Sequence, residues 1–311
     1  MRALLVVNTF ATTTSESVRD VIAAALSNSL ELDVVHTSGR GDAIAFGASA
    51  KANGYELVIG LGGDGTLNEL ANGILRDGPD PTSPILAAVP GGNANVFARN
   101  LGLPNDAVEA TAQLLSSIEQ KNIHTIGVGQ IATDDVTRWF LFNAGFGLDA
   151  AVLAQMEERR ASGKAASDLA YAAFALRELF TRTDRRNPTL KVVESSGTIH
   201  PDAHFALIVN LAPWSYLGPR PLNPMPSASL ETSLDVYAPT SLTVRSIAKL
   251  TRNIVAGRPL PESGEVIALH DLHTVVLNSE RELWVQVDGD VVTQSRNLRA
   301  SHIPNALRVL A

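Results

Sequence analysis

The 311-residue chain contains no cysteine, which excludes disulfides, thiolate metal sites and cysteine nucleophiles together. Aromatic residues are scarce at 5%, charged residues reach only 18%, and there is no basic excess: 25 Lys and Arg face 32 Asp and Glu, for a net charge of −7. An acidic total disfavours nucleic acid as a partner on electrostatic grounds, although a local basic patch still suffices for a membrane surface. No apolar run approaches the ~20 residues of a spanning helix, and the apolar opening Met1–Val7 is too short for a signal peptide and reads as a first strand. What is abundant is apolar: 45% hydrophobic residues over this length supply cores for two domains.

The first third alternates short apolar runs with amphipathic segments, the pattern of a parallel sheet with helices on both faces. The expected strands are Ala3–Val7, Leu32–His36, Leu57–Ile59 and Ile85–Val89; the expected helices are 17–29, 42–52, 67–75 and 106–117. Strands end at Asn8-Thr9, Thr37-Ser38, Gly62-Gly63-Asp64 and Pro90-Gly91-Gly92-Asn93. Ligands in open α/β sheets bind beyond the carboxyl ends of the strands, so these four turns are expected to meet in one crevice. From about Lys121 closely spaced apolar strands take over, which points to an antiparallel β domain.

The most informative stretch is ELVIGLGGDGTLNE, Glu56–Glu69. A strand runs into Gly60, Gly62, Gly63 and Gly65 and then into a helix. Glycine serves where backbone must approach a ligand closely, and a helix N-terminus offers N–H groups to an anion. The spacing Gly60-x-Gly62-x-x-Gly65 formally matches a dinucleotide fingerprint. Asp64 argues otherwise, because a carboxylate inside a phosphate-binding turn needs a divalent cation beside it, the arrangement of phosphoryl transfer. A P-loop is ruled out because no Gly-Lys-Ser/Thr follows. Thr66 reads as a helix cap, and Glu69 either as its capping-box partner or as a ligand contact.

Other segments are ambiguous by themselves. Gly91, Gly92, Asn93 and Asn95 form a second strand-to-helix turn, either a nucleotide wall or an ordinary turn capped by Asn93. Asp288-Gly289-Asp290 has the form of a hairpin turn, yet two carboxylates on a rigid turn also suit Mg²⁺ or a hydroxyl proton. In Asn143-Ala144-Gly145-Phe146-Gly147-Leu148-Asp149 the glycines mark a tight crossing, with Asp149 as its helix cap. The histidines show no metal-ligand spacing.

In this order, Gly62-Gly63-Asp64-Gly65-Thr66 with Asn68-Glu69, Pro90-Gly91-Gly92-Asn93 with Asn95-Val96-Phe97-Ala98, Gly145-Phe146-Gly147-Leu148-Asp149-Ala150 and Asp288-Gly289-Asp290 resemble the diacylglycerol kinase catalytic family, which includes bacterial lipid kinases and sphingosine kinases. The Gly-Gly-Asp-Gly-Thr turn alone also resembles that of NAD kinases and phosphofructokinases. The resemblance implies a Rossmann-like three-layer α/β/α nucleotide domain over residues 1–121, to which residues of about 300–311 return, and a mainly antiparallel β-sandwich lipid domain over 122–299. It implies ATP and Mg²⁺ as cofactors and, as substrate, a lipid met at the inner face of the membrane by a cytoplasmic, peripheral enzyme. The nucleotide contacts it implies are Asn8, Thr37, Gly62, Gly63, Asp64, Gly65, Thr66, Glu69, Gly91, Gly92, Asn93 and Asn95. Asp288 is the implied general base, with Asp64 as the alternative base; Asp64 and Asp290 are the implied Mg²⁺ ligands, and Asp290 counts with the other two as catalytic. A soluble acceptor such as NAD or a sugar, or a catalytically silent nucleotide-binding regulator, are the rival readings; a homodimer is compatible with the sequence. Three departures stand out: Asn8-Thr9 in place of the family's Asn-Pro, Asp290 in place of a glutamate, and Leu230-Glu231-Thr232-Ser233 where bacterial members carry an Asp-Asp-Gly that supports a second, structural metal. That second metal is therefore not expected.

Overall fold

A computed structural model of the chain describes residues 1–11, 14–162, 168–218, 220–257 and 264–310. It divides into two compact units, Met1–Val128 with Pro304–Ala311, and Gly129–Ile303.

The first unit is an α/β/α sandwich. Its elements run β1 (Arg2–Asn8), α1 (Glu16–Ser27), β2 (Glu31–Thr37), α2 (Asp42–Ala50), β3 (Leu57–Gly62), α3 (Asp64–Ile74), β4 (Ile85–Pro90), α4 (Val96–Asn100) and α5 (Ala107–Gln120). The strands pair in parallel in the order β2-β1-β3-β4, and Val309 extends the sheet by pairing in parallel with Leu86. Leu5, Ile59 and Ala87 share one core with Ile22 and Leu26 of α1 and Leu114 of α5. On the other face α2 and α3 pack backbone to backbone: a Cβ on Gly73 would lie 2.3 Å from the Ile44 carbonyl oxygen and 2.9 Å from the Gly47 Cα. Gly60 is needed for the same reason, since a Cβ there would meet Leu67 Cδ2 at 2.7 Å.

Register aligns the carboxyl ends of these strands. Asn8 stands opposite Thr37, Val7 opposite Leu61, and Gly62 opposite Pro90, so four strands finish at one level.

The second unit is mainly antiparallel. β5 (Ile123–Ala132) leads into it, followed by β6 (Thr137–Phe140), β7 (Asn143–Phe146), α6 (Leu148–Ala161), α7 (Asp168–Arg177) and a turn of π-helix at Glu178–Arg182. Then come β8 (Leu190–Glu194), β9 (Ala206–Val209), the hairpin β10 (Ser215–Leu217) and β11 (Arg220–Leu222), β12 (Leu234–Pro239), α8 (Val244–Ala256), β13 (Val266–Leu272), β14 (Thr274–Val287) and β15 (Asp290–Leu310). The long strand β14 takes β8 beside its first half and β7 beside its second, with β9, β12 and β13 following β7. Leu190 and Val192 from one arm share a single apolar core with Ile208 and Val236 from the other, so the arms face each other. Neither β12 nor α8 is among the sequence expectations. β14 runs unbroken through the polar Ser279–Glu282 by way of a register shift between Asn278 and Leu283.

Candidate functional site

In the first unit, the two glycine turns touch through their backbones. A Cβ on Gly92 would lie 2.7 Å from the Gly63 Cα, and one on Gly91 would lie 3.1 Å from the Gly62 Cα. The Gly91 N–H donates to the Gly62 carbonyl at 2.8 Å. Any side chain would push the turns apart, so the spacing of these glycines follows from contact rather than from positive φ. Asn95 braces the second turn: its Oδ1 accepts from Gly92 N–H at 2.9 Å, while its Nδ2 donates to the Gly92 carbonyl at 2.7 Å and to Asn105 Oδ1 at 2.8 Å. It is buried and left-handed at φ 46°, so in this structure it supports the turn from behind, while Asn93 is exposed.

α3 begins at Asp64, with Gly63 as its N-cap and no side chain capping it. The expectation of Thr66 as cap is therefore corrected: Thr66 lies in the first turn, its N–H donating to the Gly63 carbonyl at 3.0 Å and its hydroxyl accepting from Asn8 Nδ2 at 2.8 Å. Asn8 Oδ1 in turn accepts from Phe10 N–H at 2.9 Å, and Thr9 Oγ1 donates to the Thr37 carbonyl at 2.9 Å, joining the β1 and β2 ends. Nor does Glu69 cap its own helix. It is buried, and its Oε1 accepts from Gly41 N–H at 2.9 Å, which pins the β2–α2 turn to α3.

Asp64 spans both turns. One carboxylate oxygen accepts from Val96 N–H and the other from Phe97 N–H, each at 3.0 Å, so a residue of α3 caps α4. This removes the cap role expected of Asn93. Desolvation raises the Asp64 carboxyl above its ordinary range, against the backbone donors of Phe97 and Val96, which favour the charged form. A nearby cation would offset that burial. Among the described residues no group of three or more His, Asp or Glu converges on one point. Mg²⁺ bound with phosphates needs only one or two carboxylates, and a desolvated carboxylate beside two glycine turns fits that need.

In the second unit, Asp288 and Gly289 form the β14–β15 turn with φ of 48° and 88°, both left-handed, as a type I′ hairpin requires. The buried Asp288 carboxylate accepts from three successive backbone N–H groups, Leu141 at 2.6 Å and Phe142 and Asn143 at 3.0 Å each, while Asp288 N–H donates to the Asn143 carbonyl at 2.9 Å. Asp290 is partly exposed beside it.

Behind this turn lies a buried polar chain. Gln286 Nε2 donates to Asn143 Oδ1 at 2.7 Å and to Asp149 Oδ2 at 3.0 Å, and its Oε1 accepts from Gly289 N–H at 2.9 Å. Tyr171 donates to Asp149 Oδ1 at 2.6 Å. Asp149, expected as a helix cap, is instead the centre of this chain, and burial pushes its carboxyl up to about 6. Gly145 leaves room for it, since a Cβ there would meet Asp149 Oδ2 at 2.9 Å. Gln286 and Tyr171 were not singled out in the sequence. The one available signal is that Gln286 shares the strand parity of Asp288.

Among the described residues no helix is long and apolar enough to cross a membrane. Residues 2–131 match the family model described as the diacylglycerol kinase catalytic domain. The chain is 27% identical over 307 residues to a Stenotrophomonas maltophilia protein named "Probable lipid kinase YegS-like", covering 95% of this chain and 91% of that one. It is 34% identical over 96 residues to a Bacillus subtilis diacylglycerol kinase, covering 30% and 29%. A crystal structure of a diacylglycerol kinase from Bacillus anthracis str. Sterne superposes with a TM-score of 0.71 at 19% identity, covering 99% of this chain and 96% of that one. An NAD kinase from Archaeoglobus fulgidus in complex with ATP has the same fold at a TM-score of 0.53 and 10% identity, covering 100% and 94%.

Proposed function

We propose, from the match of residues 2–131 to the diacylglycerol kinase catalytic domain and the likeness to lipid kinases over nearly the whole chain, that this protein is a member of that family: an ATP-dependent lipid kinase transferring the γ-phosphoryl group to a primary hydroxyl, with diacylglycerol as acceptor and phosphatidic acid as product. The observation that carries the reading is the backbone contact of Gly62-Gly63 with Gly91-Gly92 beside the uncapped start of α3. Paired glycine turns at a helix N-terminus present N–H groups to phosphate oxygens and exclude side chains from them.

Phosphoryl transfer needs positioning and charge neutralisation more than covalent help from the protein. When bound, Mg²⁺ supplies positive charge to the phosphate oxygens. Asp64 is the proposed residue that holds it, fixed in place by the Val96 and Phe97 N–H groups. The α3 start and the Gly91–Asn93 turn orient the phosphates, with Asn8, Thr37 and Thr66 behind them. In the second unit Asp288 is the proposed base for the acceptor hydroxyl, and Asp290 is the proposed second carboxylate. The proposed setting is the cytoplasmic face of a membrane, with the enzyme peripheral to it; a homodimer is tested separately by sedimentation.

The test is transfer of label from γ-labelled ATP to a panel of detergent-dispersed lipids alongside NAD and sugars. Label in a primary-alcohol lipid supports the proposal, and label only in a soluble acceptor overturns it. NAD belongs in the panel because the fold is shared with an NAD kinase. ATP-dependent thermal stabilisation without transfer to any acceptor marks a nucleotide-binding regulator instead.

A further inference from the structure

Helix α8 has no acidic residue and three basic ones, Arg245, Lys249 and Arg252, in a chain whose acids outnumber its bases by 32 to 25. Thr243 caps its start by accepting from Ser246 N–H, and Gly257, left-handed at φ 60°, ends it. Its inner face is buried through Ser246, Leu250 and Asn253, and Ile254 packs on the apolar cluster holding Met225 and Tyr237.

The outer face is another matter. Val244 is 64% exposed, and Arg245, Ala248, Thr251 and Arg252 are exposed with it. Positions 245, 249 and 252 fall on one stripe of a 3.6-residue period. Arg220, from β11, extends the stripe sideways: an open depression of about 820 Å³ is lined by Arg220, Ala248, Thr251, Arg252, Val255 and Ala256. A second, of about 750 Å³, shares Ala248 and Arg252 and adds Arg245, Lys249 and Glu265. Among the described residues Glu265 is the one acid lining either, and it already accepts from Lys249 Nζ at 2.9 Å and Ser246 Oγ at 2.8 Å. Small side chains between the guanidinium groups leave them accessible over a broad surface rather than in a deep socket. Guanidinium forks match phosphate oxygens geometrically. A broad, open, basic face asks for many phosphates in a plane, whereas a folded protein partner is held mainly by side chains buried in deep, desolvated pockets.

We propose that the outer face of α8, together with Arg220, docks the protein on a bilayer bearing anionic phosphodiester headgroups. The proposal rests on the lipid-acceptor reading, in which the enzyme must reach a substrate held in a membrane. Because the apolar side of α8 is spent inside the protein, docking is electrostatic and not insertion, so it is salt-sensitive.

The experiment is co-sedimentation of the full chain with phosphatidylcholine vesicles with and without phosphatidylglycerol, for the wild type and an Arg245→Glu/Arg252→Glu variant, with phosphorylation of a short-chain, water-soluble diacylglycerol measured in parallel. The wild type is expected to sediment only with the anionic vesicles and to be released by salt. The variant is expected to lose about tenfold or more in partitioning, because each basic side chain near an anionic surface adds to the attraction, while its turnover of the soluble acceptor and its melting temperature stay unchanged. Equal sedimentation of both proteins, indifference of the wild type to anionic lipid, or insensitivity to salt each overturns the proposal. Preference for an acidic polypeptide over the vesicles overturns it in favour of a protein partner. The soluble-acceptor assay separates the two claims: no turnover there sinks diacylglycerol as the acceptor, and vesicle binding still decides the docking face.

Discussion

Asp288 accepts a hydrogen bond from the backbone N–H of Leu141 at 2.6 Å, the shortest of three that fasten the β14–β15 turn to residues 141–143. The residue proposed as base is thus also a brace. Asp288→Asn replaces an acceptor oxygen by an amide that faces N–H groups, so it is expected to cost stability, about 1–3 kcal/mol, in addition to turnover, about 10²–10⁴-fold. ATP affinity, measured by calorimetry, is expected to hold. Full activity in the folded variant removes Asp288 as base, and a loss that merely tracks the unfolded fraction leaves it a brace alone.

The contact between the glycine turns predicts a second outcome. In Gly92→Ala the new Cβ meets the Gly63 Cα at 2.7 Å, so one turn must move. KM for ATP is expected to rise at least about tenfold, the equivalent of 1.4 kcal/mol, with kcat for the acceptor less affected. Gly102→Ala is a control for backbone strain without crowding, because Gly102, unlike Gly92, has a left-handed φ of 79° and nothing within 4 Å of its Cβ position.

Glu69 holds the β2–α2 turn through Gly41 N–H. Glu69→Gln keeps an acceptor oxygen and is expected to be nearly neutral. Glu69→Ala leaves the Gly41 N–H without its partner and is expected to cost about 1–3 kcal/mol in chemical denaturation. If both variants keep wild-type stability but lose ATP binding, Glu69 contacts ligand instead.

The raised Asp149 pKa makes a pH prediction. The folded carboxyl titrates at about 6, above the ordinary 3.8, so between these values the native state binds the extra proton and stability falls as pH rises. The penalty is fully present above about pH 6 and gone below about pH 4. Thermal melts across this window are expected to show a downward slope with pH that Asp149→Asn removes, the wild-type-minus-variant difference approaching roughly 3 kcal/mol for a two-unit shift. A difference independent of pH means that Asp149 stays ionised throughout.

The first unit was the more legible in sequence, because each strand ends at a turn residue: Asn8, Thr37, Gly62 and Pro90 all close strands of the parallel sheet. The start of α3 was not, since sequence puts it at Leu67 and the chain begins it at Asp64, where a glycine N-cap gives no side-chain signal. What a carboxylate accepts was illegible throughout. Asp64 reaches Val96, Glu69 reaches Gly41 and Asp288 reaches Leu141, partners set by how distant segments come together. Local capping rules assume that a carboxylate serves its own helix, and these three do not. α8 was missed because two of its three buried positions, Ser246 and Asn253, are polar.

The pairing of Val309 with Leu86, supported by Arg308 donating to the carbonyls of Pro81 at 3.1 Å and Ser83 at 3.2 Å, has a consequence for biosynthesis. The sheet that carries both glycine turns is interrupted in the sequence by the whole of Gly129–Ile303. A ribosome therefore releases β1 to β4 long before their last neighbour exists, and β4 waits with an open edge, the kind of edge that invites wrong pairing. The unit that carries both glycine turns is begun before the second unit and finished after it.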